Sequence, residues 1–133
     1  MLDELNAMEP MPLFLPLSTD ARLSRFMKTL IENPGDKRSF DVLARKAGSN
    51  LHTLSRLFAS ETGMTFSQWR MRLRMMEAVE RLSQGRTITQ VSFELGYAST
   101  SAFIAAFRRN LGVTPGQYSM PEISETADAV RLV

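Results

Sequence analysis

The sequence predicts an all-α protein, two helical halves of about seven helices in total, bridged by one long connecting helix. Three observations predict it. Apolar residues recur at i, i+3 and i+4 spacing through most of the chain, which is the period of an amphipathic helix. Cap residues and glycines bracket each of these runs. The order of runs and brackets then repeats about 48 residues later, and no segment alternates as a half-buried strand does.

From Asp20, a first helix carries Leu23, Phe26, Met27, Leu30 and Ile31 on one face, and Asn33-Pro34-Gly35 stops it. Ser39 caps a short helix with Phe40, Leu43 and Ala47 inside, ending at Gly48. Ser49 or Asn50 caps the next, with Leu54, Leu57 and Phe58 inward and Gly63 past its end. Thr65-Phe66-Ser67-Gln68 is a capping-box pattern that opens the long helix, which runs to about Ser83. Trp69, Leu73 and Met76 form one apolar stripe on it, and Met71, Met75, Ala78 and Leu82 lie roughly opposite. A helix apolar on opposed sides packs against two bodies, so this one reads as a connector. Arg70, Arg74 and Arg81 fill the sector between the stripes. Thr87-x-x-Gln90 opens another short helix containing Ile88, Val91 and Leu95. After Gly96 comes a helix with Phe103, Ala106 and Phe107 inward, then Gly112 and a third box, Thr114-Pro115-Gly116-Gln117. Phe26, Trp69, Met76, Phe107 and Tyr118 are expected in the core. Residues 1–19, with three prolines and the run PLFLPL, read as a tail or linker able to dock on the core, and residues 120–133 as a frayed tail.

Composition bounds the chemistry. A chain of 133 residues is about one domain, or two very small ones sharing a core. With no cysteine and one histidine, disulfides, thiolate nucleophiles and Cys- or His-based metal clusters are excluded within one chain. No nucleophile–base pair, paired carboxylates or phosphate loop is evident, so an enzyme is not expected, nor is a cofactor or metal. No run approaches the roughly 20 apolar residues of a membrane span, and a soluble, cytoplasmic protein is expected. The net charge of +2 conceals an asymmetry: residues 20–119 hold 15 Lys and Arg against 8 Asp and Glu. Thirteen of the 16 basic residues are arginine, the side chain suited to bidentate phosphate and guanine contacts. A basic centre with acidic ends suits a polyanion. The alternative is a helical protein-interaction module whose basic face meets an acidic partner.

The internal repeat sharpens this. Phe40, Leu43, Ala47 and Gly48 match Ile88, Val91, Leu95 and Gly96 at an offset of 48. After one extra residue in the turn, Leu54, Leu57, Phe58 and Gly63 match Phe103, Ala106, Phe107 and Gly112 at 49, and Thr65-x-x-Gln68-Trp69 matches Thr114-x-x-Gln117-Tyr118. Short helix, glycine turn and longer helix is the helix-turn-helix pattern, at about 39–62 and 87–111, with the connecting helix at about 65–84. Its second helix projects an outer face able to enter a DNA major groove. The wheel puts His52, Ser55, Arg56 and Ala59 on that face in the first copy. In the second it puts Ser101, Ile104, Ala105 and Arg108 there, the same positions shifted by 49.

The second copy reads Ile88-x-x-Val91-x-x-x-Leu95-Gly96-Tyr97-x-Ser99-x-Ser101-x-Phe103-x-x-x-Phe107-Arg108-Arg109-x-x-Gly112-x-Thr114-Pro115-x-x-Tyr118. This resembles the signature of the DNA-binding domain of AraC/XylS-family transcription regulators. Leu43-Ala44, Gly48, Leu54-x-Arg56-Leu57-Phe58 and Thr62-Gly63 match the family's first motif. The resemblance, from about Leu23 to Tyr118, implies seven helices in two subdomains, placed in successive major-groove faces of one promoter duplex. It also implies regulation of transcription, most often activation through RNA polymerase contacts.

Both outward sets coincide with positions that face bases in family members. Arg56 is the leading candidate for guanine; His52 and Ser55 suit base edges or phosphate. Ile104 and Ala105 suit thymine methyls, with burial against the connecting helix as the alternative for Ile104. Family members often carry a polar reader at the position of Ala105. Thr100 and Ser101 suit base-edge or phosphate contacts near a helix N-terminus. Ser49, Asn50, Ser99, Arg70, Arg74 and Arg108 are candidate phosphate contacts, and so is Arg109, unless it pairs with an acidic neighbour. For Arg70, Arg74 and Arg81 a solvated face paired with Glu77 and Glu80 is the equal alternative. Family members usually carry a sensing or dimerisation domain ahead of this one. The stretch PMPLFLPLSTDARL, similar to a connector after such a domain, favours a C-terminal piece of a longer regulator over a small stand-alone one. The isolated domain is then expected to be monomeric, and the longer protein dimeric.

Overall fold

The computed structural model of the chain describes residues 14–118. Among them are six α-helices and no strand: α1 (Ala21–Glu32), α2 (Phe40–Lys46), α3 (Leu51–Thr62), α4 (Phe66–Ser83), α5 (Ile88–Glu94) and α6 (Thr100–Leu111). The third capping box opens only a 3₁₀ turn, Pro115–Gln117, where a seventh helix was expected. The expected tail at 120–133 and most of that at 1–19 lie outside the described residues. Two compact units are present, Phe14–Arg74 and, over the described residues, 75–118, so the division falls inside α4.

In the first unit, Asp20 caps α1 by accepting from the backbone N–H groups of Arg22 and Leu23. Ser39 caps α2 through Val42 N–H and Asn50 caps α3 through Thr53 N–H. Thr65 and Gln68 close the predicted box at the start of α4, each side chain accepting from the other's backbone N–H at 3.1 and 2.9 Å. These caps satisfy N–H groups that a helix start leaves without partners. Leu23, Phe26, Met27 and Leu30 of α1 pack with Leu43, Leu54, Phe58, Phe66, Trp69 and Leu73 in one core. Four phenylalanines tie it together: Phe40 stacks on Phe66 at 4.2 Å, and Phe26 and Phe58 meet that pair and each other at 5.6–5.9 Å. Residues 14–18 dock here too. Leu15 packs against the core, the Trp69 indole N–H donates to Pro16 O at 2.8 Å, and Ser18 Oγ donates to Glu61 Oε1.

The 34–38 loop joining α1 to α2 is held by α4. Arg70 donates to the carbonyls of Asp36 and Arg38, and Arg74 to those of Pro34 and Asp36. Arg70 also lies over the Phe66 ring at 4.5 Å. Within the loop, the buried Asp36 carboxylate accepts from Arg38 Nε and Nη2 and from the Arg38 backbone N–H.

In the second unit, the far half of α4 buries Met75, Ala78 and Leu82. The two stripes of α4 are therefore used in succession along the helix: Phe66, Trp69 and Leu73 first, then the opposite side. Met76, expected in the core, is only half-buried, because the first stripe has by then run out of its own unit; Met75 is fully buried instead. The Thr87–Gln90 box opens α5, and Val91, Leu95, Phe103, Ala106, Phe107 and Leu111 complete the core. Tyr97, Phe103, Phe107 and Tyr118 form a ladder of rings 5.5–5.7 Å apart, with Tyr118 half-buried. Arg81 pairs with Glu77 and Glu94, and Arg86 with Glu94.

The hydrogen bond from Arg38 holds the Asp36 carboxyl at about 2, below its ordinary 3.8. A carboxylate whose folded value lies below its unfolded one stabilises the protein above about pH 4, and that stability is lost as pH falls towards 2. The shift corresponds to roughly 2 kcal/mol. Asp36→Asn should therefore flatten the loss of stability between pH 4 and pH 2, measured as urea midpoints across that range. Parallel acid profiles for the two proteins would contradict this role for Asp36.

Candidate nucleic-acid interface

The rotation of α3 about its axis follows from what it buries. Leu54 and Phe58 have no exposed surface, and Leu57 is half-buried. At 100° per residue the opposite side then faces solvent, and His52, Ser55, Arg56 and Ala59 are all exposed. Arg56 makes no ion pair among the described residues, so its guanidinium is available for a bidentate contact. The turn leading into α3 is made by Gly48 at φ 76°, a left-handed backbone that L side chains adopt at a cost. Ser49 N–H donates back to Ala44 O across that turn, closing the α2 end.

The second unit repeats this. Gly96 takes φ 85°, and Tyr97 N–H donates to Ser92 O. Ser99 caps α6 through Ala102 N–H, as Asn50 caps α3. Phe103, Ala106 and Phe107 are buried; Ser101, Ala105, Arg108 and Arg109 are exposed, and Ile104 and Thr100 are half-buried. Ser101, Ile104, Ala105, Arg108 and Arg109 line a shallow depression that opens to solvent. Its lining combines three small or apolar residues with two arginines.

Several residues considered from sequence are engaged elsewhere. Asn50 and Ser99 spend a side-chain oxygen on capping, and Ser49 is half-buried in the turn. Arg70 and Arg74, candidates for phosphate contacts, donate to the 34–38 carbonyls. The loop lies more than 30 residues away in sequence, and only the packed first unit brings its carbonyls to α4. Arg81 is paired with Glu77 and Glu94, and Arg109 has no acidic partner among the described residues. The sequence reading passed over Arg25, Lys28, Lys37 and Lys46, exposed cations without an ion pair among the described residues. Local spacing separates them only in part. Arg22, Arg38 and Arg45 each pair with an aspartate two or four positions away, but Lys37 stands four residues before Asp41 and Lys28 four before Glu32 without an ion pair among the described residues. Among the described residues no group of three or more His, Cys, Asp or Glu could hold a metal, and no helix is long and apolar enough to cross a membrane.

A sequence model described as a helix-turn-helix domain matches residues 43–120 of the chain. The chain belongs to the AraC-type helix-turn-helix family. The HTH-type transcriptional regulator NimR of Escherichia coli is 34% identical over 118 residues, which is 89% of this chain and 43% of that protein. The HTH-type transcriptional regulator RipA of Corynebacterium glutamicum is 33% identical over 81% of the chain and 33% of its own length. The chain thus spans less than half of these relatives. A crystal structure of a transcriptional regulator from Chromobacterium violaceum, described as containing an AraC-type DNA-binding domain, superposes with a TM-score of 0.68 at 25% identity. It covers 75% of this chain and 90% of that one. The AraC-type family is one of transcription regulators, which is not an enzyme class.

Because Arg70 and Arg74 support a loop, their loss should read as stability. Arg70→Ala and Arg74→Ala should each lower stability by about 1–3 kcal/mol, the range for removing a charged hydrogen-bond partner. The salt dependence of DNA binding should stay unchanged. A shallower salt dependence with unchanged stability would return them to the phosphate-contacting set.

Proposed function

We propose that this chain binds a specific site on double-stranded promoter DNA, with α3 and α6 as its two reading helices, and so regulates transcription. One observation carries the reading. Two outward faces, 52, 55, 56 and 59 and then 101, 104, 105 and 108, stand at equivalent positions of repeated helix-turn-helix units whose inward faces are buried. Arg56 reads guanine through O6 and N7, His52 and Ser55 bond base edges or phosphate, and Ala59 allows close approach. On α6, Thr100 and Ser101 meet base edges or phosphate near the helix start, Ile104 and Ala105 meet apolar base surface, and Arg108 and Arg109 hold phosphates. Activation in the cytoplasm through contact with RNA polymerase is part of the same proposal. The activating role is supported by the name of one relative, the HTH-type transcriptional activator RhaS of Escherichia fergusonii, 30% identical over 99 residues. No observation favours a protein-interaction module.

The test is binding to duplexes selected from a random pool, in excess nonspecific competitor. Arg56→Ala should weaken binding to the selected site by about 1–3 kcal/mol, roughly fivefold to 150-fold, and relax the preference at one guanine. Equal affinity of the wild-type chain for selected and random duplexes would refute the reading.

A further inference from the structure

The two units are unequally charged. Residues 14–74 hold 11 Lys and Arg against 5 Asp and Glu, whereas residues 75–118 hold 4 against 3. Ion pairing widens the contrast. In the second unit Arg81 and Arg86 are both engaged by carboxylates, so Arg108 and Arg109 are its only arginines without an ion pair among the described residues. The first unit has five such exposed cations: Arg25, Lys28, Lys37, Lys46 and Arg56. A duplex held mainly by charge would be held mainly by the first unit.

The second unit has something else to offer. Along α6, Ser101, Ile104, Ala105 and Arg108 fall at i, i+3, i+4 and i+7, on one face. The small side chains Ser101 and Ala105, the half-buried Ile104, and Arg108 and Arg109 line one shallow, open depression. Ile104 and Ala105 offer no donor or acceptor to a base edge. In the major groove, one group answers an apolar dent of this kind, the C5-methyl of thymine.

We infer that the units divide the work of recognition, the first supplying most of the electrostatic hold and the second selecting a thymine-bearing subsite by burying C5-methyl groups against Ile104 and Ala105. This rests on the DNA-binding reading above and adds to it the base class of one subsite. Its consequence is a second contact that discriminates with little dependence on salt.

Replacing thymine by deoxyuridine removes only the C5-methyl and isolates that contact. The full chain is titrated with its selected duplex, and each thymine is exchanged in turn. At one or more thymines of a single subsite, the exchange should weaken binding about fourfold, the value of one buried methyl group. Ile104→Ala should abolish that penalty, Ile104→Val should keep most of it, and Arg56→Ala should leave it intact. If Ile104→Ala fails to fold, Ala105→Asn at an exposed position should abolish the penalty instead. Sequence-selective binding with no penalty at any thymine, or a penalty that survives both substitutions, would overturn the inference and leave the DNA-binding reading standing. Loss of selectivity in the wild-type chain would remove that reading itself.

Discussion

Burying Leu54 and Phe58 in one unit, and Phe103 and Phe107 in the other, fixes the rotation of α3 and α6 about their own axes. Everything proposed about recognition depends on that constraint. Each buried aromatic contributes about 1.5–3 kcal/mol through burial alone, so turning either helix to present another face would cost several such contributions. Recognition chemistry is thus separated from folding chemistry along one helix: the positions that stabilise the unit do not face outward. Left-handed glycines at 48 and 96 complete the constraint, because the chain must reverse sharply between the packed helices.

In both units, the same devices recur with different chemistry on the outside. The turns close through Ser49-to-Ala44 and Tyr97-to-Ser92 hydrogen bonds, the reading helices start at Asn50 and Ser99, and they end at Gly63 and Gly112. The outer faces have diverged: His52 and Arg56 stand where α6 has Ser101 and Ala105. A repeated scaffold with unlike faces suits an asymmetric DNA site, in which, as proposed, each unit would meet its own subsite.

Much of this was legible in the sequence because it is local. Capping boxes, glycine stops and helical stripes act within about four residues, so Thr65–Gln68, Thr87–Gln90 and the inward sets of α3 and α6 could be read directly. The family resemblance added the expected role of the outward sets, which is part of the proposal. What could not be read depends on contacts distant in sequence. The roles of Arg70 and Arg74 require the 34–38 loop to arrive beside α4, and no spacing rule encodes that. Likewise, Trp69 could be placed in the core, but its partner Pro16 lies 53 positions away. Met76 shows a third limit: a helical wheel gives direction, not the point at which a helix passes from one unit to the next.

The account is tested most directly by backbone amide shifts of the full chain titrated with its selected duplex. It predicts that the largest changes fall in 49–59 and 99–109, with smaller ones at the exposed cations of α1 and the buried-face residues little affected. Changes confined to one of the two segments, or concentrated on α1, would contradict the claim that both repeats present reading helices to DNA.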